Sequence, residues 1–149
     1  MSNNPVYLLF VTPRSLAPLF LRLAVATIFF YHGAQKAFGW FGGEGWQGTI
    51  EAWGAETGPG LPAAVTASLI LAELLIPLSL VIGFLTRPAA LGVVIIMVGE
   101  LYYLSGSPAF QDLQLPLLLL ANGLALFFIG AGRLSADRAI SANLLPYVG

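Results

Sequence analysis

Three polar side chains, His32, Gln35 and Lys36, close a long apolar stretch at a spacing of i, i+3 and i+4, and a helix would set all three on one face. His32 is the only histidine and Lys36 the only lysine of the sequence. Two carboxylates, Glu73 and Glu100, interrupt later apolar stretches in the same way. A neutral imidazole beside a carboxylate can accept and relay a proton at physiological pH. A lysine and a glutamine nearby supply donors that could orient a bound molecule. The chemistry these types allow is therefore proton transfer and hydrogen bonding inside an apolar site. The elements that would gather them follow from composition and hydropathy.

Of 149 residues, 58% are hydrophobic and 9% are charged, and the mean hydropathy is +0.86. Soluble domains carry about 25% charged residues, so this chain cannot cover a water-facing surface and reads as an integral membrane protein whose first partner is the lipid bilayer. A net charge of −1 gives no footprint for nucleic acid. The absence of cysteine excludes disulfides, thiolate metal sites and Fe–S ligation, and one histidine cannot make a bis-histidine haem site. No intrinsic cofactor is expected, and no metal-ligating spacing such as HExxH occurs. The apolar run at 6–11 is too short for a signal-peptide core, so the first long segment is expected to remain as a membrane anchor.

The fold class expected is all-α: a four-transmembrane-helix bundle with a short amphipathic interfacial helix between helices 1 and 2, in one domain over 1–149. The spans read as 16–38, 62–85, 89–104 and 113–131, followed by a short tail, 132–149. At 1.5 Å per residue the first reaches about 34 Å, enough for a ~30 Å hydrocarbon core. Arg22 lies within it, and its head is expected to snorkel to the near interface. Trp46, Ile50 and Trp53 recur at i, i+4 and i+7 and mark the amphipathic helix, flanked by the belt aromatics Trp40 and Phe41. Pro77, one turn after Glu73, removes the hydrogen bond to the Glu73 carbonyl and should kink the second span. Gly92 and Gly99 form a small-residue stripe suited to close helix packing.

Ionisable groups at membrane depth cost several kcal/mol unless paired or hydrated, which makes them candidates for function. Glu73 lies about 17 Å along its helix from Pro62, near the midplane. His32 and Lys36 lie roughly 9 Å and 3 Å below the end of theirs. One polar pocket could gather His32, Gln35, Lys36, Glu73 and Glu100, with Gln111 and Asp112 near its rim. His32 and Glu73 are the expected catalytic pair, facing each other, with Lys36 nearer Glu100. Each has a plainer reading: Lys36 and Glu100 could reach water, and His32 and Glu73 could be packed hydrogen-bonding groups.

The stretch HGAQKAFGWFGG resembles the signature of the DoxX family. Gly48-Thr49, Ala72-Glu73-Leu74, Gly83-Phe84-Leu85-Thr86-Arg87 and the ending Gly130-Ala131-Gly132-Arg133-Leu134-Ser135 with Asp137 agree with it. The resemblance implies a four-helix bacterial inner-membrane protein, with some relatives tied to quinone-linked oxidation, such as the small subunit of thiosulfate:quinone oxidoreductase. It leads to three competing functions. In the first, the chain is a membrane subunit of a quinone-linked oxidoreductase. A bound quinone would be hydrogen-bonded by His32 and Lys36, Glu73 would take protons, and a partner protein in a redox complex would exchange electrons. In the second, the chain is a non-catalytic structural or assembly subunit, and either role is compatible with an oligomer. A small-solute transporter is the weakest reading, because no internal repeat or pair of broken helices is present.

Arg14, Arg87, Arg133 and Arg138 share one side of a four-span topology, and Lys36 faces Glu44, Glu51, Glu56 and Asp112 on the other. The positive-inside rule then puts both termini in the cytoplasm. Single cysteines at Gly54 and Ser141 should react with an impermeant thiol reagent from opposite sides of the membrane. Reaction from one side would refute the topology.

Overall fold

A computed structural model describes residues 15–55, 58–105 and 109–144. Arg14, Glu56 and the run 6–11 lie outside the described residues. Among the described residues, four helices are long and apolar enough to cross a membrane: α1 (Ala17–Phe38), α3 (Ala63–Ile82), α4 (Thr86–Leu104) and α5 (Phe110–Ile129). Between the first two lies the short helix α2 (Gly45–Gly54), and α6 (Ala136–Leu144) follows the last. The fold is an all-helical bundle with a short interfacial helix, as composition and periodicity imply.

Local chemistry sets the boundaries. Pro18 opens α1 in the first turn, where its missing N–H is no loss. Gly39 closes it at φ 69°, its N–H donating to the Ala34 and Gln35 carbonyls. A 3₁₀ turn, Trp40–Gly42, follows and leads into α2. Thr86-Arg87-Pro88, left between the expected spans 62–85 and 89–104, is helical: α4 begins at Thr86, with the proline tolerated in its first turn. The span therefore has 19 residues, long enough to cross without help from its flanks. The fourth span likewise starts three residues early, at Phe110, with Pro116 buried inside it.

The spans associate as two close pairs, α1 with α3 and α4 with α5. Small residues permit the approach. A Cβ on Gly33 would stand 2.8 Å from the Glu73 carbonyl oxygen, and one on Gly123 would crowd Val93 and Val94. Gly92 meets Ile76, but nothing lies within 4 Å of a Cβ on Gly99, so only half of the expected small-residue stripe packs. Val25, Ala26, Phe29, Ile76, Leu80, Ala90, Val93 and Leu126 join in one buried apolar core. Outward-facing residues such as Phe20, Leu75, Ile95 and Phe128 are exposed and apolar, as a lipid-facing surface requires.

At the end of the bundle holding the α3–α4 turn, the chain departs from expectation. Arg22 does not snorkel: it is 0% exposed, and its Nη2 donates to the Leu134 carbonyl at 2.6 Å. The guanidinium lies over Gly83, where a Cβ would come within 1.7 Å of Nη1. The reason is α6, which brings Asp137 within electrostatic range of Arg22. Asp137 is itself buried and accepts from the Leu85 N–H at 2.7 Å and the Thr86 N–H at 2.9 Å. It thus caps α4 from a remote helix. Asp137→Ala should lower the stability of the bundle by about 1–3 kcal/mol, since it strands two buried donors and the Arg22 charge. Gly83→Ala should cost at least as much, through its positive φ and the collision with Arg22. Thermal unfolding in detergent checks both, and wild-type melting of either variant would contradict the capping role.

Candidate functional site

At the opposite end, the two helix pairs enclose a cavity of about 820 Å³. Its polar wall consists of His32 and Lys36 from α1, Glu44 before α2, Glu73 from α3 and Glu100 from α4. The remainder is apolar, including Phe29, Trp53, Leu69, Ile96, Met97 and Leu119.

Glu73 and Lys36 meet directly, Nζ to Oε1 at 2.6 Å. This corrects the expected pairing of Glu73 with His32 and of Lys36 with Glu100. The register of the helices supplies the reason. Gly33 abuts the backbone of Glu73, so those two residues are level. Gly33 lies about 7 Å from the end of α1 at Phe38, whereas Glu73 lies about 15 Å from the start of α3 at Ala63. The spans do not end level: α3 rises about one and a half turns above the end of α1, and α2 fills the step, packed on both. Lys36 is therefore less than one turn above Glu73, within reach of its stem. The Glu73 carbonyl turned toward Gly33 is the one that Pro77 deprives of its helical donor.

The short helix completes the arrangement. The Lys36 ammonium lies 4.4 Å from the centroid of the Trp53 ring, a cation–π contact. Buried Thr49 donates through Oγ1 to the Lys36 carbonyl at 3.2 Å, one of the orphan acceptors at the end of α1. Trp46, Ile50 and Trp53 are each half-buried, which places the amphipathic face as its periodicity requires. Glu73 is only 4% exposed. Its Oε1 holds Lys36, and its Oε2 is buried without a hydrogen-bond partner.

His32 lines the same cavity, within electrostatic range of Glu73, its ring edge-on to Tyr31. Glu100 is exposed along the cavity wall. Gln35 is not part of the lining: its amide Nε2 donates to the Phe41 carbonyl at 3.4 Å and steadies the 3₁₀ turn. Gln111 and Asp112 are exposed in the first turn of α5 and are not among the lining residues, which begin one turn on with Leu115 and Pro116. Among the described residues, no three His, Asp or Glu side chains converge in a way that could hold a metal ion. Trp53, Thr49 and Glu44 were not singled out as site residues by sequence. Trp53 had a signal in its i+7 spacing, but that spacing could not say that the buried face would meet a lysine.

The model of one protein family, DoxX, matches residues 17–106. The chain belongs to the DoxX family. The match runs from α1 through α4, so it takes in His32, Lys36, Glu73, Glu100 and the α2 cap of this DoxX protein, while α5 and α6 fall beyond it. No curated protein and no solved structure matches the chain significantly.

Removing one member of a buried ion pair strands the other charge, at a cost of about 3–5 kcal/mol, whereas replacing both with apolar groups is often near neutral. Lys36→Met should therefore destabilise the bundle strongly, and Lys36→Met with Glu73→Leu should recover most of the loss. Unfolding of the single and double variants in detergent tests this. Additive losses would show that the pair is not coupled.

Proposed function

We propose that this DoxX protein is a bacterial inner-membrane subunit associated with quinone-linked oxidoreduction, and that the Lys36–Glu73 cavity receives the quinone head. The observation that carries this reading is the Glu73 carboxylate, buried with Oε2 unpartnered at the floor of an apolar chamber. Its volume of about 820 Å³ falls within the ~300–1,000 Å³ usual for small-molecule sites, as does an apolar lining with a few convergent polar groups. A quinone, when bound, supplies a two-electron, two-proton redox couple. His32 and Lys36 are the donors able to orient its carbonyl oxygens, and Glu73 is the group able to hold or pass on a proton at Oε2. Phe29, Leu69 and Met97 belong to the apolar lining of the same cavity. With no cysteine and one histidine, the chain relies on a partner protein to exchange electrons.

Orientation is part of the same proposal. Arg22, Arg87, Arg133 and Arg138 cluster at the α6 end, and Lys36 stands with Glu44, Glu51, Glu100 and Asp112 at the other. The positive-inside rule places the arginine end and both termini in the cytoplasm, so the cavity opens outward.

A second reading, an assembly subunit, is favoured by one observation: Lys36 is held at once by Glu73 and Trp53, while Thr49 binds its carbonyl, which could be a structural lock alone. Glu73→Gln separates the two, because the amide keeps shape and hydrogen bonding but not the exchangeable proton. Quinone-dependent turnover of the native complex should fall by about 10²-fold per folded molecule, the usual worth of a general acid–base, beyond any loss of membrane abundance caused by the stranded Lys36 charge. His32→Asn should also lose turnover. Full activity in both variants would leave the assembly role standing.

A further inference from the structure

We propose that the cavity communicates with the bilayer sideways, through a gap between α3 and α4, and that it admits apolar-tailed molecules with an uncharged head while rejecting anionic ones. This rests on reading the cavity as a ligand site and adds the route and the class of molecule it accepts.

The route follows from where α3 and α4 touch. Ile76 meets Gly92 at a crotch, and two turns toward the α2 end a Cβ on Gly99 would meet no such neighbour. Glu73 stands one turn above the crotch on α3, followed by Leu69 and Val65 at helical spacing. On α4 the facing stripe is Ile95, Gly99 and Tyr102, again i, i+4 and i+7. All six line the cavity. Yet Val65, Ile95, Gly99 and Tyr102 are also exposed on the outside of the bundle, Ile95 to 62% and Tyr102 to 83%. A residue that both lines a cavity and faces outward marks its opening. This one lies along apolar helix surface, at the level of lipid chains. At Gly99 the gap is empty, since a Cβ there would meet nothing within 4 Å.

Selection follows from charge. The wall carries one cation, Lys36, against three carboxylates, Glu44, Glu73 and Glu100. Lys36 is already bound to Glu73, leaving Glu44 and Glu100, both exposed at the wall, to repel a negative head. The unpartnered Glu73 Oε2 suits a head that brings a hydrogen-bond donor.

The test uses the full chain with Trp53 as its only tryptophan (Trp40→Phe, Trp46→Phe), reconstituted in phosphatidylcholine with or without bromine on the acyl chains. Bromine quenches an indole on contact, so the brominated lipid should remove most of the Trp53 emission. Gly99→Leu, which meets no obstacle in folding, should restore it by filling the gap. Decanol should displace the brominated chains and restore emission, and decyl sulfate at the same mole fraction should not. Glu44→Gln with Glu100→Gln should let decyl sulfate act as decanol does. Equal emission in the two lipids, or quenching that Gly99→Leu leaves intact, would overturn the lateral route. Equal displacement by decanol and decyl sulfate in the unsubstituted wall would overturn the charge selection. Either result can occur with quinone-dependent turnover intact, and loss of the quinone reading through an active Glu73→Gln complex would leave the quenching outcomes in force.

Discussion

A carboxylate near the middle of an apolar helix must find a cation or surrender its charge, and much of this bundle can be understood as the means by which Glu73 finds one. Lys36 belongs to a helix whose end is recessed. The recess exists because Gly33 sets the α1–α3 register against the Glu73 backbone. It would be a breach in the fold without α2, which seats Thr49 on the end of α1 and Trp53 on the ammonium. Glycine, proline, threonine and tryptophan at these positions thus serve one contact, made by Lys36 on Glu73.

The other end of the bundle solves a similar problem by different means. Arg22 is as deeply enclosed as Glu73, but its compensation is local to the α6 end: the Leu134 carbonyl and the nearby Asp137 carboxylate. Asp137 satisfies the α4 terminus at the same time. One end ties backbone and side chains together at the α3–α4 corner, although Arg22 keeps Nε and Nη1 buried without a hydrogen-bond partner. The other leaves a carboxylate oxygen without a partner, beside open volume. What separates the two buried charges is open volume: Glu73 lines the cavity, and Arg22 is not among its lining residues.

The four spans, the interfacial helix and the polar wall residues His32, Lys36, Glu73 and Glu100 were legible in the sequence because hydropathy and i, i+4, i+7 spacing are properties of single helices. The pairing within the site was not. Depths counted from each helix end assumed that the ends lie level, and the offset that joins Lys36 to Glu73 is a relation between helices, set by Gly33 and by the volume of α2. Arg22 was misjudged for a related reason. Its partners stand more than a hundred residues away, on a tail whose low hydropathy said nothing of where it would dock. Thr86-Arg87-Pro88 has every local mark of a turn, and it is helical because Asp137 caps it from outside.

Below Glu73 the interior is filled by Phe29, Ile76, Val25, Ala26 and Leu80, with no buried polar side chain among the described residues until the level of Arg22, about three turns further on. The bundle is a cup with a solid base. In a polarised membrane the voltage falls mainly across such a dry, low-dielectric layer, where moving one elementary charge takes about 2.3 kcal/mol per 100 mV. A proton that arrives at Glu73 from the open end and leaves the same way crosses little of that drop. Whichever way round the chain sits, charge movements in the cup are electrically quiet, and the base denies ions a leak through the bundle.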